Sequence, residues 1–277
     1  ELKKRGIKVI YFISPQVWAW GRERLRFIRA HVDLMLVLFK FEEILYADGK
    51  FNVKFVGHPL LDIVRPTLHR DEMLQKIGFR KNFATIALLP GSREREIKNL
   101  LPEMLEACQK IHRRRRETQF IICRAGGMPR QIFKDAIDKQ KIDFPYTVVD
   151  DDTYNGVNAA DIAIVCSGTA TLETAILNKP MVIVYKVNFL TWLMAKICVK
   201  IPYIGLVNVV AGQKLVPELL QFDVTPEKIA ATTMGLWDDK RRLEAIHAEL
   251  YALKNTLGIP GALGRTAEDI VKFLKAR

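Results

Sequence analysis

The segment Val165–Lys186 reads VCSGTATLETAILNKPMVIVYK. An apolar run closes at Cys166, the small residues Ser167 and Gly168 follow, and a helical pattern occupies Thr169 to Leu177. A second apolar run, Met181 to Tyr185, comes a few residues later. Strand, helix and strand in such close order make a βαβ unit, whose two strands lie parallel. A plain turn between Cys166 and Thr169 could be shorter and less polar, so the junction itself invites a functional reading.

The same alternation runs outward in both directions. Upstream, strands are expected at Thr85–Leu89, Gln119–Cys123, Tyr146–Val149 and Asp161–Cys166. Helices are expected over Asp71–Ile77, from after Arg93 to about Arg114, over Pro129–Gln140 and over Tyr154–Ala160. Nearer the start, buried-strand runs Ile7–Ile13, Val32–Leu38 and Val53–Val56 alternate with helices over Arg22–Ala30 and Phe41–Asp48. Downstream, Phe189–Val199 reads as a helix and Ile204–Val207 as strand-like. Further helices are expected over Ala211–Leu220, Pro226–Trp237, Asp239–Thr256 and Thr266–Ala276. The pattern predicts an α/β fold with parallel sheets covered by helices on both faces, and ligands at the carboxyl ends of the strands.

Gly57-His58-Pro59, followed by the polar stretch from Arg65 to Arg70, reads as a domain boundary. The expected division is a first Rossmann-like domain represented by residues 1–57, a second over 58–262, and a closing helix, 263–277, that returns to the first. Because the chain opens at Glu1 inside the α/β pattern, an upstream part of the first domain is expected to be missing.

The 277 residues include 43 Lys and Arg against 31 Asp and Glu, a net charge of +12. Such an excess points to an anionic partner. Its densest runs, RERLRFIR (22–29) and RRRR (113–116), carry no RNP motif, zinc finger or helix-turn-helix. Nucleic acid therefore ranks below an acidic membrane or a phosphorylated substrate, and each run is also what a solvated helix face looks like. No run is apolar enough to span a bilayer. Residues 189–200 come closest but carry Lys196 and Lys200, so they read as an amphipathic helix, partly buried or resting on lipid. Cys108, Cys123, Cys166 and Cys198 lie far apart in apolar stretches and read as reduced core residues. Neither they nor the five histidines have metal-ligand spacing, and no metal or cofactor is expected.

Three junctions have the composition of ligand sites. In LLPGSREREI (Leu88–Ile97), Gly91 permits close backbone approach, Ser92 can cap a helix, and Arg93 offers a guanidinium fork to a phosphate. The same residues also make an ordinary helix start with a solvated arginine. In SGTATLE (Ser167–Glu173), Ser167, Gly168 and Thr169 offer amides and hydroxyls at a helix N-terminus. Glu173, one turn on, can grip two adjacent ribose hydroxyls or merely favour the helix dipole. In NVVAGQKLVPELLQ (Asn208–Gln221), Asn208 interrupts an apolar run, and Glu218 and Gln221 stand three apart, on one face if this is a helix. That face reads equally as solvated or as a sugar contact.

Taken in order, these segments together with SPQVWAW (Ser14–Trp20) and FVGHPLLD (Phe55–Asp62) resemble the lipid-A-disaccharide synthases, two-Rossmann glycosyltransferases of the GT-B type. The resemblance covers nearly the whole chain from Gly6 onward. It implies an inverting transfer of 2,3-diacylglucosamine from UDP-2,3-diacylglucosamine to 2,3-diacylglucosamine 1-phosphate (lipid X), with UDP leaving. It implies that Gly91, Ser92 and Arg93 meet the donor diphosphate, with Ser167, Gly168 and Thr169 nearby, that Glu173 binds the ribose, and that Asn208, Glu218 and Gln221 line the donor pocket. The family's acidic base belongs to the first Rossmann half, upstream of Glu1, so this chain alone is expected to keep a donor site and little transferase activity. The resemblance further implies a place at the cytoplasmic face of the inner membrane, held by basic charge beside Trp18, Trp20, Phe189 and Trp192, and allows a homodimer.

Two other readings fit parts of the pattern. A different UDP-sugar GT-B protein, such as a UDP-N-acetylglucosamine 2-epimerase or the peptidoglycan N-acetylglucosaminyltransferase, would share the strand-end glycine and the helix glutamate, but not Trp18-Ala19-Trp20 or the Asn208–Gln221 block. A non-catalytic remnant that binds a nucleotide sugar or a partner subunit would fit the missing amino-terminal part.

Overall fold

The computed structural model describes residues 2–19, 21, 23–47, 51–188, 192–193 and 202–276. The chain divides into two units: Glu1–Ile63 with Leu193–Ile201 and Ala252–Arg277, and Val64–Trp192 with Pro202–Tyr251.

The first unit is built on a parallel sheet of order β1 (Ile10–Phe12), β2 (Leu34–Val37), β3 (Val53–Phe55). Helices α1 (Arg24–His31) and α2 (Lys40–Tyr46) make the crossovers, and α3 (Leu60–Ile63) follows β3. The central strand LMLV is buried at every position, which is why it shows no polar alternation. Val17, Ile28, Val32, Met35, Val37 and Tyr46 form its core. The chain's last helix, Ala262–Lys275, belongs to this unit. Arg265 Nε donates to the Val56 carbonyl at 3.0 Å, and Asp62 Oδ1 accepts the Gly261 N–H at 2.7 Å. Gly57 has φ 87°, and a Cβ there would stand 2.8 Å from the Arg265 guanidinium, so only glycine lets this latch close.

The second unit carries a parallel sheet of order β6-β5-β4-β7-β8-β9. In chain order its elements are α4 (Arg70–Lys76), β4 (Ala84–Leu89), α5 (Glu94–Arg114), β5 (Thr118–Arg124), α6 (Arg130–Gln140), β6 (Tyr146–Asp150), α7 (Thr153–Ala159), β7 (Ile162–Cys166), α8 (Thr169–Ile176) and β8 (Met181–Tyr185). Then come α9 (Leu206–Ala211), β9 (Glu218–Leu220) and α10 (Pro226–Asp238), and α11 (Lys240–Thr256) begins in this unit and ends in the first. The helix Ala262–Lys275 is α12. Helix α5 turns Ile97, Leu100, Leu101, Met104, Leu105, Cys108 and Ile111 inward, the i, i+3, i+4 stripe of a helix lying on a sheet.

The strand-and-helix alternation read from the sequence is present, with shifts of a few residues at element ends. The block after Ile204 differs. Ile204–Val207 is not a strand: Gly205 opens helix α9, and Gly212, at φ 68°, closes it. Ala211–Leu220 is not a helix, because the chain leaves Gly212 irregularly and Glu218–Leu220 pairs with β8 as an edge strand, Val184 opposite Leu219. Gln221, at φ 53°, begins a short 3₁₀ turn, so Glu218 and Gln221 share no helix face. Most of the expected helix Phe189–Val199, along with Trp20, Phe189 and Cys198, lies outside the described residues.

Candidate functional site

From β4 the chain steps outward through β5 to β6, then returns to the other side of β4 as β7 and continues to β8 and β9. The crossovers on either side of the β4–β7 pair diverge, which leaves a crevice at the strands' carboxyl ends. A cavity of about 700 Å³ lies there. Gly91, Ser92 and Arg93 enter it from the end of β4; Ser167, Gly168 and Thr169 enter it from the end of β7, with Glu173 on the same wall. Seven residues singled out in the sequence thus line one cavity.

At the β4 exit, Gly91 takes φ 125°, and a Cβ there would stand 2.7 Å from both Cβ and Oε2 of Glu96. Glu96 Oε2 accepts the Ser92 N–H at 3.2 Å, and Arg93 Nη1 donates to Glu96 Oε1 at 2.8 Å. At the β7 exit, Gly168 takes φ 147° and ψ −160°, a region that glycine alone enters freely. Its carbonyl accepts the Thr171 hydroxyl at 2.8 Å. The capping residue of α8 is Gly168, which brings no side chain; the Thr171 N–H turns to the Gly168 carbonyl at 3.2 Å, and the amides before it can meet an anion. Ser167 Oγ donates to the Ile204 carbonyl at 3.1 Å.

Burial holds the Glu173 carboxyl above its ordinary range, partly offset by the Tyr154 hydroxyl, which donates to Oε1 at 3.3 Å. Burial and the adjacent carboxylate push the Tyr154 phenol up to about 12, so it stays a donor. Tyr154 belongs to a wall that the sequence reading passed over as a plain short helix. It follows β6 and includes Asp151, Asp152 and Asn155. Asn155 spends its amide on the Thr67 and Leu68 N–H groups, at 2.8 and 2.9 Å, pinning that strand of chain to the wall. The polar run DDDTYN at the end of β6 was the available signal, since the strand-end rule applies there as it does after β4 and β7. Cys123 and Cys166 also face the cavity; burial pushes both thiols up to about 12, so they are uncharged.

Asn208, Glu218 and Gln221 are not among the residues lining the cavity. They hold the chain beside it. Asn208 is fully buried; its Nδ2 donates to the Val216 carbonyl at 2.9 Å and to Glu218 Oε1 at 2.8 Å, while Oδ1 accepts the Val216 N–H at 3.0 Å. Glu218 accepts the Ile204 and Gly205 N–H groups, each at 3.0 Å. Gln221 pairs with both backbone groups of Val187, at 3.1 and 2.8 Å. The Asn208 amide thus fixes Glu218, Glu218 fixes Ile204, and Ile204 receives Ser167 of the cavity. Among the described residues no cluster of three or more His, Cys, Asp or Glu side chains could hold a metal.

A sequence model described as Lipid-A-disaccharide synthetase matches residues 1–258. The chain belongs to the lipid-A-disaccharide synthase family. A lipid-A-disaccharide synthase of Syntrophus aciditrophicus (strain SB) is 45% identical over 274 residues, covering 99% of this chain and 71% of that protein. Among solved structures, the co-structure of Staphylococcus aureus MnaA with UDP superimposes with a TM-score of 0.65 at 14% identity, over 100% of this chain and 72% of that one. A glycosyltransferase from Rickettsia africae ESF-5 gives 0.60 at 13% identity, over 100% of this chain and 79% of that one. At these identities the likeness is one of fold, and the fold of this synthase is of the GT-B type. Membership makes it a glycosyltransferase of lipid A biosynthesis.

The first unit of this synthase carries its own polar cluster at the carboxyl ends of its strands. Ser14 Oγ lies 2.9 Å from the Tyr46 hydroxyl, and Trp18 Nε1 donates to Glu42 Oε1 at 3.2 Å. Burial raises the Glu42 carboxyl, against the Phe39 N–H and the Trp18 indole, which lower it. No helix among the described residues is long and apolar enough to cross a membrane.

Proposed function

We propose that the cavity between β4 and β7 binds the UDP moiety of UDP-2,3-diacylglucosamine, the donor that this synthase uses to glycosylate lipid X. The observation that carries the reading is the convergence of two separate strand-to-helix junctions, PGSR and SGT, on one cavity with Glu173 on its wall. In this reading Ser92 and Arg93 meet the diphosphate from one side, and the open amides of α8, beginning at Gly168 and Thr169, meet it from the other. Glu173, with Tyr154 behind it, accepts the ribose hydroxyls. As the anomeric bond breaks with inversion, the charge that grows on the leaving diphosphate is met by Arg93 and the α8 dipole. Asn208, Glu218 and Gln221 act as positioning residues that hold the Ser167 side of the site.

Calorimetry with UDP and uridine tests the assignment. Arg93→Ala is expected to weaken UDP about tenfold or more while sparing uridine, and Glu173→Ala to weaken both. A wild-type chain that does not bind UDP, or variants that bind it unchanged, would refute it. The fold likeness to UDP-bound MnaA favours the same nucleotide here and leaves the sugar open. A thermal-shift comparison of UDP-2,3-diacylglucosamine with UDP-N-acetylglucosamine separates this reading from a different UDP-sugar enzyme. The net charge of +12 is assigned to the anionic cytoplasmic face of the inner membrane, where the lipid substrates reside. Liposome binding should then weaken as salt rises, and salt-independent binding argues against it.

A further inference from the structure

Glu96 already takes one N–H from each of the two residues that the proposed function assigns to the diphosphate. Its Oε2 accepts the Ser92 N–H at 3.2 Å and its Oε1 accepts Arg93 Nη1 at 2.8 Å. One backbone N–H and one guanidinium N–H, taken by two oxygens of a single anion, is the arrangement a phosphate would adopt there. The residue stands at the third position of α5, where a glutamate commonly reaches back to the N–H of the capping residue. Here the capping residue is Arg93, and the carboxylate bypasses its N–H for that of Ser92, one residue further out toward the cavity. The carboxylate is well seated: the Glu96 side chain is 17% exposed, whereas Arg93, its partner, is 81% exposed. Gly91 makes the seat, since a Cβ there would meet Glu96 Cβ and Oε2 at 2.7 Å. The neighbouring acid Glu94 pairs with Lys98 at 2.6 Å and takes no part.

We propose that Glu96 is an internal stand-in for phosphate, displaced when the donor diphosphate arrives and returning when UDP leaves. The proposal rests on the reading that the diphosphate binds at Ser92 and Arg93. A free anion must compete with a carboxylate tethered beside its donors. A nucleoside diphosphate brings base and ribose contacts to the contest and wins. Glu96 therefore selects nucleotide-linked diphosphate over inorganic phosphate and lowers the affinity for the product.

Calorimetry of the full chain with UDP, uridine and inorganic phosphate tests this. Glu96→Gln is expected to bind UDP about tenfold more tightly, to bind uridine as wild type does, and to gain measurable affinity for inorganic phosphate. Glu96→Asp, which keeps the charge but withdraws it by one methylene, should fall between the two. Thermal unfolding of each variant checks that it is folded. Weaker or unchanged UDP binding by folded Glu96→Gln overturns the proposal, because Glu96 would then only orient Arg93 or do nothing. A wild-type chain whose UDP affinity is indifferent to Arg93→Ala instead sinks the diphosphate assignment, and that result is read independently of Glu96.

Discussion

Replacing Asn208 by alanine should cost this protein a large part of its stability. The side chain is fully buried and satisfies both the N–H and the carbonyl of Val216, itself fully buried, at 3.0 and 2.9 Å. Water cannot substitute there, and each buried polar group left unpaired costs about 1–3 kcal/mol. Glu218 also loses a donor at 2.8 Å but keeps the Ile204 and Gly205 N–H groups. The sum is roughly 3–5 kcal/mol, against a typical total of about 5–15 kcal/mol. Asn208→Asp makes a sharper test. It keeps an acceptor for the Val216 N–H but sets a second carboxylate against Glu218, at the 2.8 Å now spanned by a hydrogen bond. At neutral pH it should cost at least as much as alanine. A proton shared between the two carboxyls replaces the donor to Glu218, though not the one to the Val216 carbonyl. Such a proton is held more tightly in the fold than in the unfolded chain, so the stability it confers is present at low pH and lost as pH rises. Urea unfolding followed by circular dichroism, from pH 5 to 8, measures both effects. The gap between Asn208→Asp and wild type should narrow toward pH 5, while that of Asn208→Ala stays level. An alanine cost below about 1 kcal/mol, or parallel pH profiles for the two variants, would refute the clasp.

Other perturbations separate further parts of the argument. Gly168→Ala meets open space and suffers only from its φ of 147°, whereas Gly91→Ala must also push Glu96 aside. Both should lower the unfolding temperature, the second by more, and equal losses would deny the close approach at Gly91. Burial pushes the His58 imidazole down to about 4 from an ordinary 6.5, so it is neutral in the fold. Stability is therefore full above pH 6.5 and falls as the pH drops toward 4, by at most roughly 3 kcal/mol, and His58→Gln should flatten that part of the stability curve. Because burial raises the Glu173 carboxyl, UDP binding should weaken as the pH falls through its raised range. Tyr154→Phe, by removing the donor at 3.3 Å, should move that loss to higher pH, as calorimetry across pH 5–8 would show.

The parts of this architecture that were legible in the sequence are those dictated locally. Buried parallel strands announce themselves as apolar runs such as IAIVC (Ile162–Cys166), and α5 announces itself by a stripe of period 3.6. The PGSR and SGT junctions stood out because they set glycine and hydroxyl residues at a strand end where a shorter, less polar turn could serve. What the sequence hid depends on tertiary context. LVNVV is apolar enough for strand or helix, and only its position beside α8 makes it a helix. The Gly212 φ of 68° ends that helix, but a glycine inside an apolar pattern can equally be tolerated there. Strand β9 has three residues and exists because β8 offers it an edge. Asn208 looked like a ligand contact because it is polar among apolar neighbours; its partners are the backbone of Val216, eight residues on, and the Glu218 carboxylate, ten residues on, which no composition argument could foresee.

The first unit is discontinuous in sequence, and this has a consequence for biosynthesis. Residues 1–63 emerge from the ribosome with their own short sheet, yet Arg265, which ties down Val56, and Asp269, which pairs with Lys54, arrive only after the intervening segment has been made. The intervening unit owns nearly all of its sheet partners and can finish during translation. Residues 1–63 must wait half-built until residues 261–269 have followed the intervening unit.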